Sequence, residues 1–122
     1  MKRDMDLARR ILLELEECAD ADGHGWIDIE LEGESRESIV YHIRLLYEAG
    51  IIEASDCSDM DGADWRAKRL TWEGHEFLDE ARNQFVWDKV LSDVKEKGLA
   101  NVSLDIMKRM LNSELKRRLN IQ

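Results

Sequence analysis

Apolar residues recur at helical spacing near the N-terminus, where Met5, Ala8, Ile11, Leu12, Leu15 and Cys18 share one face. This predicts a helix over 5–19, with Asp4 or Asp6 taking its first free N–H groups. Residues 21–25 read as a loop. The pattern then changes to strict alternation, with Ile27, Ile29 and Leu31 against Asp28, Glu30 and Glu32, which predicts a half-buried strand over 26–32. Helical spacing returns over 36–49, between a Ser35 cap and Gly50, with a stripe of Ile39, Val40, Ile43, Leu46 and Tyr47. A short strand over 51–54, a polar turn over 55–64 and a returning strand over 65–71 predict a hairpin. Thr71 can cap a third helix over 72–83 carrying Phe77, Leu78 and Ala81. A fourth, over 84–97, carries Phe85, Val86, Val90, Leu91 and Val94, either continuous with the third or kinked from it, and Gly98 ends it. Ser103 caps a last helix with the stripe Leu104, Met107, Leu111, Leu115 and Leu119.

A helix running directly into a two-stranded hairpin is the layout of a winged helix. The predicted class is therefore α+β: a winged-helix-like domain over 1–83, with three short strands and a wing, and a C-terminal helical extension over 84–122 packed on it. The helix over 36–49 takes the recognition position. No helix fits between a strand ending near Glu32 and a cap at Ser35, which counts against docking in a major groove.

Two local patterns are similar to bacterial winged-helix regulators. Residues 41–52, Tyr-His-Ile-Arg-Leu-Leu-Tyr-Glu-Ala-Gly-Ile-Ile, match the passage from recognition helix to wing, and Leu70-Thr71-Trp72-Glu73-Gly74 with Leu78 matches the wing-to-helix junction. Over roughly its first hundred residues the chain resembles domain of unknown function family 2513, small bacterial and phage proteins. The matching pieces are residues 1–7, Tyr41-His42, Ala49-Gly50, residues 69–78 and Val86-Trp87. The resemblance implies a phage or prophage setting and a winged-helix-like fold, and it brings no activity.

Charge sharpens the picture. The 122 residues carry a net charge of −9, but residues 1–64 hold 6 Lys+Arg against 18 Asp+Glu, whereas residues 65–122 hold 12 against 9. An acidic first half repels phosphate backbones, although solubility alone also accounts for it. No apolar run approaches a membrane span, no signal-peptide core follows Met1, and two cysteines make no disulfide framework, so a cytoplasmic protein is expected.

The candidate chemistry is sparse. Cys18, His24, His42, Cys57 and His75 lack paired metal-ligand spacing, no glycine-rich loop joins a strand to a helix, and no carboxylate pair can be assigned an acid–base role. The wing aspartates do not match a calcium loop. No cofactor and no metal are expected, and the chain reads as non-enzymatic. Cys18 is expected in the core, Cys57 exposed on the wing, and the histidines on the surface or at caps. Trp72 and Trp87 are expected as core anchors.

The outward face of the helix over 36–49 carries Tyr41, Arg44 and Leu45 with Glu37 and Glu48, and the hairpin adds Trp65, Arg66 and Lys68. Tyr41, Arg44, Leu45, Trp65, Arg66 and Lys68 are the candidate contacts for a protein partner or for DNA; a helix packed on two sides, and cross-hairpin ion pairs, are the plainer readings. Specific duplex binding is expected to be weak or absent. The stripe Leu104, Met107, Leu111 and Leu115 is a candidate homodimer face, or else packs within its own chain. Three roles fit: a regulatory or protein-interaction module of phage type, an acidic inhibitor that imitates nucleic-acid charge against a host protein, or a weak DNA-binding regulator.

Overall fold

The computed structural model describes residues 1–19, 25–99 and 102–120. Its elements run α1 (Met5–Cys18), α2 (Arg36–Glu48), β1 (Ile52–Asp56), β2 (Trp65–Leu70), α3 (Trp72–Ala81), α4 (Gln84–Glu96) and α5 (Leu104–Leu119). They form two compact units, Met1–Glu76 and Phe77–Gln122, here units 1 and 2. Most of the loop expected over 21–25, with His24, lies outside the described residues.

Caps set the helix ends. The Asp4 carboxylate accepts from the Asp6 and Leu7 N–H groups at 3.0 and 3.1 Å, and Ser35, Asn83 and Ser103 cap α2, α4 and α5 through their own side chains. α2 closes in a Schellman turn: Gly50, at φ 76°, donates to the Tyr47 carbonyl, and Ile51 donates to that of Leu46.

In unit 1, α1 and α2 pack on the hairpin β1–β2. The strands are antiparallel, with a bulge where Glu53 faces Arg69 and Ala54 faces Ala67. Strand side chains alternate between faces, so Ala67 and Leu70, three apart, would point to opposite sides of a regular strand. The bulge resets the phase and lets both be buried. The core adds Leu7, Ile11, Leu12 and Leu15 from α1, Ile39, Ile43 and Leu46 from α2, and Ile29, Ile51 and Ile52.

The third strand expected over 26–32 is not present, which corrects the three-stranded winged-helix-like class to a mostly helical chain with a two-stranded sheet. Only Ile27 bridges β2, its N–H donating to the Ala67 carbonyl at 2.8 Å. Beyond it other partners draw the backbone away. Arg10 of α1 donates to the Glu32 carbonyl at 3.0 Å and to the Glu34 carboxylate at 3.3 Å, and Gly33 turns the chain at φ 82°. The alternation reflects the burial of Ile29, not a ladder of hydrogen bonds.

Unit 2 is built on Phe77, Leu78, Ala81, Val86, Trp87, Val90, Val94, Met107 and Leu111, all buried, with α5 packed on α4. α3 and α4 are separate helices, parted by the Asn83 cap. Several expected core residues lie outside: Trp72 is 76% and Phe85 75% exposed, Cys18 is exposed at the end of α1, and Tyr47 is 45% exposed. Cys57 is half-buried rather than exposed.

Candidate functional site

Once Ile39, Ile43 and Leu46 turn inward, the periodicity of α2 leaves Arg36, Glu37, Tyr41 and Arg44 facing the start of β2. Trp65, the first residue of β2, gathers this face. Its ring lies 5.2 Å from that of Tyr47, tilted by 41°, and the Arg44 guanidinium stands 5.9 Å from its centre. A cleft of about 560 Å³ opens between α2 and the hairpin tip, lined by Val40, Tyr41, Arg44, Ala63 and Trp65 among others. A smaller hollow of about 160 Å³ lies against Trp26, Ile29, Ile39 and Ile43, with Arg36 and Arg66 also lining it. Lys68 adds a second cation–aromatic contact, its Nζ 5.8 Å from the Trp26 ring centre.

Of the residues expected from the sequence, Tyr41, Arg44 and Trp65 therefore meet in one cleft, Arg66 lines the neighbouring hollow and Lys68 reaches Trp26. Leu45 is half-buried and lines neither. Arg36, Trp26 and the exposed Tyr47 belong to this face and were not among the expected contacts. Tyr47 sits in the last turn of α2, where its ring packs on Trp65 rather than in the core.

The cations are already engaged. Arg36 reaches Asp28 at 3.7 Å and Asp64 at 3.0 Å, Arg66 reaches Asp64 at 3.1 Å, and Arg44 reaches Glu48 at 3.1 Å. On the far strand face Arg69 grips Glu53 with two nitrogens at 2.7 and 3.1 Å. The Asp64 carboxylate raises the Arg66 pKa further, and hydrogen bonds from Ser58, helped by Arg44, hold Asp56 below the usual carboxylate range. Each arginine on this face would have to give up a carboxylate before gripping phosphate.

His42 is buried beneath the face. Its Nδ1–H donates to the Ser38 carbonyl and its Nε2 accepts from the Asp4 N–H, each at 2.8 Å, so the ring is neutral and Nδ1 carries the proton. The edge of Tyr41 packs on it at 5.7 Å. This histidine ties the start of α1 to α2 and is buried rather than on the surface. Among the described residues no group of three His, Cys, Asp or Glu side chains is arranged to hold a metal ion. No helix among them is long and apolar enough to cross a membrane.

The expected dimer stripe is largely closed. Met107 and Leu111 are fully buried, and Leu104 and Leu115 are half-buried.

The family described as "Hypothetical protein (DUF2513)" matches residues 2–100, ending before α5. An "Uncharacterized protein" of Haemophilus influenzae (strain ATCC 51907 / DSM 11121 / KW20 / Rd) is 41% identical over 110 residues, 90% of this chain and 92% of the relative. No solved structure matches.

Proposed function

The chain belongs to the DUF2513 family, and from that premise we propose that it is a non-enzymatic protein-interaction module, regulatory in role and set in a phage or prophage context, whose contact surface is the face of α2 and the hairpin. One observation carries this: an open cleft that combines Val40, Tyr41 and Trp65 with arginines already paired to carboxylates. Aromatic and arginine side chains around a concave apolar floor supply most of the energy of a protein contact, and paired charges at the rim orient the partner. The same pairing leaves little for a phosphate backbone, so the DNA-regulator reading is the weaker one.

The acidic-inhibitor reading draws on a different feature. Unit 1 has 9 Lys+Arg against 20 Asp+Glu, and Asp59 and Asp61 stand exposed at the hairpin tip. The two readings separate by where the partner is lost. The immobilised protein is exposed to bacterial lysate, and the captured partner is compared across variants that retain the native circular dichroism. Tyr41→Ala and Trp65→Ala should abolish capture, while Phe85→Ala should not. Capture that survives both cleft variants and disappears with Asp59→Asn/Asp61→Asn would replace the interaction-module reading with the inhibitor one.

A further inference from the structure

Unit 2 holds a polar groove of about 410 Å³ that plays no part in the α2–hairpin face. Along α5, Lys108, Asn112 and Lys116 fall four residues apart and so share one side, with Arg109 and Ser113 beside them. Glu80 of α3 also lines the groove. Arg109 is occupied by Asp105 at 3.1 Å, whereas Lys108 and Lys116 have no acidic partner among the described residues. Glu80 is half satisfied: Oε1 meets the Asn112 amide at 3.5 Å, but Oε2 is buried with no hydrogen-bond partner. The lysines of the groove are thus left without an anion.

The hairpin tip of unit 1 offers such an anion. Backbone bonds between Asp59 and Gly62, at 3.1 and 3.2 Å, close the turn, and Asp59 Oδ1 accepts from the Asp61 N–H at 2.8 Å. Neither Asp59 nor Asp61 has a cation partner among the described residues, and the Met60 N–H takes no part in these bonds. Met60 itself is fully exposed between the two carboxylates. Charge favours the match on the larger scale too: unit 1 is −11, while unit 2, with 9 Lys+Arg against 7 Asp+Glu, is +2.

We propose that the α5 groove receives the hairpin tip of a second copy of this chain, and that two copies exchange tips about a two-fold axis. Asp59 and Asp61 of one copy pair with Lys108 and Lys116 of the other, with the exposed Met60 between them. The contact differs from the apolar stripe of α5, whose central residues are buried.

Sedimentation with charge swaps tests this. Wild type should sediment as two chains at tens of micromolar in about 50 mM salt, with association weakened at least tenfold at about 500 mM, where screening is strong. Lys108→Glu/Lys116→Glu and Asp59→Lys/Asp61→Lys should each be folded single chains, because both contacts in either homodimer become repulsive. Mixed together they should associate again, since each tip then meets a groove of opposite charge. Association of either variant alone at the wild-type level, a mixture that stays monomeric, or a wild type that is one chain at low salt would each overturn the proposal.

Discussion

The two units are held together by different physics. In unit 1, polar bonds join segments far apart in the chain: Asp4 to His42, Arg10 to Glu32 and Glu34, Arg69 to Glu53, and Thr71 to Gly50 and Ile51. In unit 2 the long Asn112–Glu80 contact is of this kind, and the ion pairs join residues three or four apart: Arg82–Asp79, Lys89–Asp93, Arg109–Asp105, and Arg117 and Arg118 to Glu114. Its tertiary structure rests on the burial of apolar side chains. Pairs within one exposed helix add only tenths of a kcal/mol each, whereas a bond that spans the fold selects one arrangement of elements.

This difference explains the residues that resemble the family. Thr71 accepts from the Gly74 N–H at 3.1 Å while its own hydroxyl lies 2.6 Å from the Gly50 carbonyl and 2.9 Å from that of Ile51, and its N–H also reaches Ile51. Leu70-Thr71-Trp72-Glu73-Gly74 is thus the knot that fastens the start of α3 to the end of α2. Residues 1–7 and Tyr41-His42 form a second knot, through Asp4 and His42. These motifs are fold signatures, and Tyr41 of the second also lines the cleft.

The largest effect should come from the apolar unit. Trp87 is fully buried with Phe77 edge-on at 6.4 Å, so Trp87→Ala should cost about 4 kcal/mol, with hydrogen exchange placing the loss in unit 2. Trp72→Ala, at an exposed site, should change stability by less than about 0.5 kcal/mol. Equal losses from the two would erase the distinction between core and surface tryptophan.

Next in size is the backbone approach in unit 1. A Cβ at Gly74 would lie 2.0 Å from the Ile51 carbonyl oxygen, which cannot give way without moving β1. Gly74→Ala should cost about 3 kcal/mol in urea denaturation. Gly50 has open space and only a left-handed φ of 76°, so Gly50→Ala should cost about 1 kcal/mol. The reverse order would mean that the Thr71 knot is looser than its geometry.

His42→Ala leaves the buried ends of two hydrogen bonds without their ring partner and should cost about 2 kcal/mol, felt most at the start of α1. Amide exchange at Asp4 and Leu7 should rise more than exchange in α4. Uniform loosening of both helices would remove His42 as a specific tie.

How much of this the sequence discloses follows the same division. Helix ends depend on neighbours in the chain, so Asp4, Ser35, Ser103, Gly50 and Gly98 were legible, as was the hairpin between 52 and 70. The outward face of α2 follows from its period, which brought Tyr41 and Arg44 to notice. The absence of the third strand was not legible, because what draws residues 28–34 from β2 is Arg10, a side chain of α1. Trp72 fails in a similar way: it begins α3 outward because Thr71 is pinned to Ile51, a contact that periodicity does not register. Cys18 continues an apolar stripe past the point where the core ends. The groove of α5 depends on Glu80, a residue 28 positions before Lys108 that nothing in its local pattern marks out.

The smallest expected effect compares one carboxylate in each unit. Hydrogen bonds from Arg117 and then Arg118, together with the charge of both, hold Glu114 below the usual glutamate value. Asp56 is also lowered, first by the Ser58 hydroxyl and backbone N–H, with Arg44 adding least. For both groups the folded value is depressed. Their contribution to stability is therefore complete above the unfolded value, about 4.3 for glutamate and 3.9 for aspartate, and is lost as pH falls through the folded value. The causes differ, and salt tells them apart. Ions screen the guanidinium charges around Glu114, but they leave a short neutral hydrogen bond from Ser58 nearly intact. In a carboxyl-carbon NMR titration, raising the salt should move the Glu114 midpoint up toward its usual value while that of Asp56 shifts less. Glu114→Gln should remove the matching part of the acid slope of stability in unit 2. Identical salt responses at the two positions would mean that charge, rather than local hydrogen bonding, lowers Asp56, and the contrast between the two carboxylates would have to be redrawn.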